Sequence, residues 1–134
     1  MRILLDTHIL LWALSNDTKL PKKARELIED QENEIYYSIV SLWEVELKHL
    51  AHPDIMPVSA EEISGYCEQS GYKQITIKEN HVFSMKGLRR EKNTPPHKDP
   101  FDRILICQAD VEKMVFITHD SLIPGYNKSC ILFL

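Results

Sequence analysis

Short apolar runs alternate along the chain with longer stretches in which apolar residues recur every three or four positions. Arg2-Ile3-Leu4-Leu5, closed by Asp6, reads as a buried parallel strand. Thr7 to Leu14 carries enough apolar residues for a mostly buried helix. Leu20, Ala24, Leu27 and Ile28, with Pro21 in the first turn, form an amphipathic helix. Ile35-Tyr36-Tyr37 predicts a second strand, Val40 to Ala51 a helix ended by His52-Pro53, and Ser59 to Ser70 a helix stopped by Gly71. Gln74 to Ile77 is a third strand and Glu79 to Leu88 a helix. Residues 89–98 are polar, contain Pro95-Pro96 and read as a loop. Pro100 to about Val111 is helix, Val115 to Thr118 a fourth strand, and Ile131 to Phe133 the place for a fifth. Strands alternating with helices imply parallel βαβ units. The expectation is one α/β domain over residues 1–134, with a central sheet of four to five strands and helices on both faces.

A chain of 134 residues can bury such a core without disulfides or structural zinc. Cys67, Cys107 and Cys130 are odd in number and lack CxxC spacing, which fits a reducing cytosol. No apolar run approaches a membrane span and no signal-peptide pattern opens the chain, so a cytoplasmic location is expected. The formal charge of −4 gives no hint of a nucleic-acid partner. Any such reading must rest on local features.

Ligands of parallel α/β sheets bind beyond the carboxyl ends of the strands. Asp6 stands at the end of the first strand and Asp120 two residues past the fourth. Glu44 lies in the first turn of the helix after the second strand, and Asp99 and Asp102 flank the start of the helix after the polar loop. A parallel sheet would bring all five to one rim without an equal number of fixed cations. Like charges repel there unless a cation neutralises them. Hard oxygen ligands suit Mg²⁺ or Mn²⁺, and the chemistry such clusters serve is mostly phosphodiester cleavage. Each acid also has an ordinary explanation. Ser41-x-x-Glu44 fits a capping box, and Asp99-Pro100-Phe101-Asp102 fits an N-cap with proline at N1. Glu44 could pair with Lys48, Asp6 cap a helix and Asp120 shape a turn. Five acids on one rim outweigh five separate explanations.

Other chemistry is thinner. The histidines are scattered without HExxH; His97 lies beside the acids, within reach of a phosphate, though a loop histidine is usually solvated. Trp12 and Trp43 sit among apolar neighbours and read as core. No glycine-rich phosphate loop and no GxSxG occur, and the cysteines lack a basic partner. The segment 89–103 holds Arg89, Arg90, Lys92, Lys98 and Arg103 against three acids, a local excess of positive charge suited to phosphate-backbone contacts. A solvated loop is the plain alternative.

Four blocks together are familiar: LLDTHILLW at 4–12, SIVSLWEVELK at 38–48, HKDPFDRILICQA at 97–109 and ITHD at 117–120. The chain resembles a PIN domain and, more narrowly, the VapC-type ribonuclease toxins of toxin–antitoxin modules, in the subgroup with an H-x-D-P-F-D-R signature. The resemblance implies a three-layer α/β/α sandwich, Mg²⁺- or Mn²⁺-dependent endoribonuclease activity on single-stranded or loop RNA, a homodimer and a cognate antitoxin. By matching position it makes Asp6, Glu44, Asp102 and Asp120 the acidic site, with Asp99 an extra acid of the subgroup. Thr7, Ser41 and Thr118 match the polar residues that support it. A receiver domain would need an acid pair after the first strand, and a haloacid-dehalogenase-like phosphatase D-x-D there; Asp6-Thr7-His8 is neither. The remaining alternative is a catalytically inactive PIN fold that binds RNA or protein.

Overall fold

Five strands form one sheet in which every neighbouring pair is parallel. The computed structural model describes all 134 residues. In chain order the elements are β1 (Arg2–Leu5), α1 (Thr7–Ser15), α2 (Lys22–Glu29), β2 (Glu34–Ser38), α3 (Ile39–Ala51) and α4 (Ala60–Gln69). There follow β3 (Lys73–Ile75), α5 (Glu79–Ser84), α6 (Pro100–Glu112), β4 (Val115–Thr118) and β5 (Ile131–Phe133), with 3₁₀ turns at Met85–Gly87 and Ile123–Tyr126. The strand order is β3-β2-β1-β4-β5, and Ile3 at the centre pairs with Ile35 on one side and Val115 on the other.

Strand alternation sends neighbouring residues to opposite faces. Ile3, Leu5, Ile35, Tyr37 and Ile117 point into a core closed by Ile9 and Leu10 of α1, Ala24 of α2, Leu42 and Val45 of α3, and Ile63 and Cys67 of α4. Leu4 and Phe116 point the other way, onto the buried run Ile104–Cys107 of α6 and onto Ile123 and Tyr126. The expected three layers are present, and all five strands form. No helix is long and apolar enough to cross a membrane.

Two boundaries differ from the pattern by more than a residue. The third strand ends at Ile75 rather than Ile77, because the Thr76 carbonyl accepts from Gln108 Nε2 at 3.2 Å instead of joining the ladder. The fifth helix stops at Ser84 and tightens into 3₁₀ geometry before Gly87. Gly71, at φ 79, is the left-handed stop after α4, where a side chain would be strained.

Gln108 is fully buried on α6 and fastens three elements. Besides Thr76 it accepts from Ser38 Oγ at 2.7 Å, and Ser38 Oγ in turn accepts from Val40 N at 3.0 Å as the N-cap of α3. Removing the amide strands the buried Ser38 hydroxyl and leaves the Thr76 carbonyl without its partner. Gln108→Ala is expected to lower unfolding free energy by about 1–3 kcal/mol in urea titration; a loss under about 0.5 kcal/mol would contradict this role.

Candidate metal centre

The strand order reverses between β1 and β4, and the acids gather at that reversal, outside the carboxyl ends of the two strands. Asp6 ends β1 and is the N-cap of α1. Its Oδ1 accepts from Thr7 N at 2.8 Å and its Oδ2 from Thr118 Oγ1 at 2.6 Å. Thr118, the last residue of β4, also accepts from Asp120 N at 3.0 Å, so one buried hydroxyl sets the spacing of two acids. Asp120 turns the chain by accepting from Leu122 N at 2.9 Å.

Helix α3 brings Glu44. It starts at Ile39 behind Ser38, so Ser41 and Glu44 are not a capping box; Glu44 sits in the second turn. Ser41 Oγ meets Thr7 Oγ1 at 2.8 Å, pinning α3 to the start of α1. Glu44, one turn further on, is only 6% exposed. The Lys48 pairing forms at 2.9 Å to Oε2, but Oε1 is buried with no partner.

Helix α6 brings the last acids. Asp99 is its exposed N-cap, accepting from Phe101 N at 2.9 Å and from Asp102 N at 3.4 Å, with Pro100 at the first helical position. Asp102 lies in the first turn, its side chain 13% exposed. His97 is not a solvated loop residue: its side chain is 6% exposed, and Nε2 lies 3.1 Å from Asp102 Oδ2. Tyr126 Oη donates to the His97 carbonyl at 3.0 Å, so ring Nδ1, 2.6 Å from Oη, is the donor to it. A neutral ring with its proton on Nδ1 then presents Nε2 to the Asp102 carboxyl. The ionisation shifts agree. Burial lowers His97; burial, followed by the charges of Asp6, Asp99, Glu44 and Asp120, pushes Asp102 up to about 8. Burial also raises Asp6, against the hydrogen bonds from Thr118 and Thr7 that lower it.

Ligand atoms of His97, Asp102 and Asp120 come within 4.8 Å of one another, and Asp6 and Asp120 line a neighbouring hollow of ≈ 290 Å³. The donor set fits a divalent cation on two counts. Glu44 Oε1 is a buried acceptor without a donor, and Asp102 is raised by burial and then by the like charges of four neighbouring acids, a repulsion that a cation would relieve. His97, which heads the H-x-D-P-F-D-R signature but reads in sequence as a solvated loop residue, joins the group through the chain reversal that Tyr126 anchors.

The basic segment divides. Arg89, Lys92 and Lys98 are exposed. Arg90 is tied down: Nε and Nη2 donate to the Pro95 carbonyl, Nη1 donates to the Leu122 carbonyl, and the guanidinium lies 4.8 Å over the Tyr126 ring. Gly125 permits this approach, since a Cβ there would stand 2.5 Å from the guanidinium. Arg103 on α6 is half-buried, its Nε without a partner. Trp43 is not core: it is 56% exposed and meets Phe101 edge-on at 5.0 Å. Burial raises all three thiols, Cys67 to about 12 and Cys130 to about 11, which leaves no activated nucleophile among them.

The PIN-domain family profile matches residues 3–127. Among solved structures, one chain of VapBC2 from Rickettsia felis, bound to a DNA fragment from its promoter, is similar at 18% identity and TM-score 0.65, over 100% of this chain and 98% of that one. A chain of a toxin–antitoxin complex from Klebsiella pneumoniae is similar at 18% identity and TM-score 0.64, over 97% of this chain and 95% of that one. No curated protein gives a significant match.

The Asp102 shift has a stability consequence. A carboxyl whose folded value rises from 3.8 to about 8 stabilises the fold fully below its unfolded value. That contribution is lost as pH rises through the folded one. In EDTA, the wild type is expected to lose more urea resistance between about pH 5 and about pH 9 than Asp102→Asn does. Equal pH slopes for the two proteins would refute the shift.

Proposed function

The chain belongs to the PIN-domain family, and we propose that it is a metal-dependent endoribonuclease of the VapC type, in the subgroup with the H-x-D-P-F-D-R signature. In this reading residues 1–134 work as a single domain in the cytoplasm, as the toxin of a toxin–antitoxin pair. The observation that carries it is the acidic rim itself. Buried and half-buried carboxylates converge at the sheet's switch point, with one buried oxygen orphaned and Asp102 raised by burial and by the acids around it.

Asp6, Glu44, Asp102 and Asp120 would hold Mg²⁺ or Mn²⁺, with Asp99 at the rim's outer edge. Such an ion, when bound, supplies Lewis acidity and an activated water for phosphodiester hydrolysis. The protein's part is preorganisation. Thr118 and Thr7 hold Asp6 in one orientation, and the Thr7–Ser41 contact keeps α3 and its Glu44 in register. His97, fixed by Tyr126, orients Asp102. Arg90 shapes the loop rather than reaching out, which leaves Arg89, Lys92 and Lys98, with Arg103 behind them, to attract the phosphate backbone of single-stranded or loop RNA.

The surface that suits an antitoxin lies elsewhere. Helices α3 and α4 enclose a groove of ≈ 610 Å³ with Leu42 and Trp43 among its walls and Glu46, Glu61 and Glu68 around them. An apolar groove edged by acids suits an amphipathic basic helix, and the toxin–antitoxin neighbours support an antitoxin partner. Leu47, Leu50 and Ile55 stay exposed on and just beyond α3 and suit a homodimer contact.

Purified protein is expected to cleave single-stranded RNA with Mg²⁺ or Mn²⁺ and to stop in EDTA. Asp6→Asn, which keeps the hydrogen bonds but loses the charge, should reduce cleavage by about 100-fold or more while circular dichroism stays unchanged. Wild-type cleavage by that variant, or cleavage in EDTA, would overturn the reading. Light scattering at micromolar concentration should give twice the chain mass; a strict monomer would remove the dimer from the proposal.

A further inference from the structure

Beside the acids lies a set of rings that the metal centre leaves unexplained. The ≈ 290 Å³ hollow next to Asp6 and Asp120 has His8, Trp12 and His119 as its remaining walls. These rings are in series. His8 and Trp12 lie 5.9 Å apart between centroids, Trp12 and His119 meet edge-on at 5.7 Å, and His119 stacks on Phe133 at 6.0 Å with planes 14° apart. His8 and His119 are exposed, Phe133 is 46% exposed and Trp12 is half-buried. Nor is the row loose: His119 Nδ1 contacts the Leu134 carbonyl, and Trp12 packs its inner edge on the α1-side core.

Exposed rings set in a row, with His119 and Trp12 anchored, present aromatic surface to a ligand at little further ordering cost. Flat unsaturated rings are what such faces bind best, and the bases of single-stranded RNA stack on aromatic and histidine side chains in this way. The hollow is at the small end of ligand-pocket sizes, suited to one flat ring rather than to a length of peptide. Its position matters as much as its shape. Two of its five lining residues, Asp6 and Asp120, are acids of the proposed metal centre, so a ring seated there lies directly beside those acids.

We propose that His8, Trp12, His119 and Phe133 form a nucleobase-stacking subsite, which seats the base of a nucleotide adjoining the scissile phosphate. The proposal rests on the ribonuclease reading and adds to it where the substrate's bases go. Stacking tolerates any base, so the subsite supplies affinity and alignment rather than sequence choice.

Two labelled probes separate base from backbone: a ten-nucleotide uridine RNA, and an abasic ribose-phosphate chain of the same length and charge. Binding is followed by fluorescence anisotropy with Ca²⁺ in place of Mg²⁺. Wild type should bind the uridine decamer at least about fivefold more tightly than the abasic one. His119→Ala, at an exposed position, should erase most of that preference while abasic binding stays the same, and His119→Phe should restore it. In a Trp43→Phe background Trp12 is the sole tryptophan, and its emission should be quenched by the uridine decamer alone. Equal binding of the two probes by wild type, or an undiminished preference in His119→Ala, would overturn the subsite and leave the ribonuclease reading standing. Binding of neither probe would bring down both.

Discussion

Mutual repulsion of carboxylates at one edge of a parallel sheet is the constraint around which this protein is built. Parallel pairing points every strand's carboxyl end the same way, and the reversal of strand order between β1 and β4 opens a crevice there. Asp6 and Asp120 fall at its two lips, while α3 and α6 deliver Glu44 and Asp102 from opposite layers. Burial sharpens the repulsion, because charge is screened less away from water. Burial first, and then these like charges, push Asp102 up to about 8, and Glu44 Oε1 is buried facing no donor.

The surrounding polar residues make that arrangement rigid. Thr118 donates to Asp6 and accepts from the Asp120 backbone, so its hydroxyl proton has only one useful direction. The Thr7–Ser41 contact locks two helices, and the Ser38–Gln108–Thr76 relay ties β2, α3, α6 and the end of β3 together. On the far side, Tyr126 meets both the ring and the carbonyl of His97, while Arg90 crosses its face. Each contact limits how far an acid can retreat from its neighbours. A site that cannot relax its own repulsion is poised to take up a cation.

Much of this was legible in the residues themselves. The strand runs were short and apolar enough to identify all five strands, and the acids' positions relative to them were sufficient to place the rim. What escaped was tertiary. Ser41-x-x-Glu44 has capping-box spacing, yet the helix begins earlier because Ser38 is free to cap it. His97 sits in a polar stretch that reads as solvated, and only the return of the chain through Ile123–Tyr126 buries it. Arg90 looks like its neighbours in sequence, but Gly125, more than thirty residues on, makes room for its guanidinium. Trp43 has Leu42 before it and Val45 two residues on and still faces outward, because α3 buries Leu42 and Val45 instead.

The central claim is that this rim is a divalent-cation site, and location of the ion tests it most directly. A crystal grown with Mn²⁺ and measured for anomalous scattering should show a peak in the crevice between β1 and β4, bounded by carboxylate oxygens of Asp6, Asp102 and Asp120. No peak at saturating Mn²⁺, or a peak only at acids outside that crevice, would contradict the account.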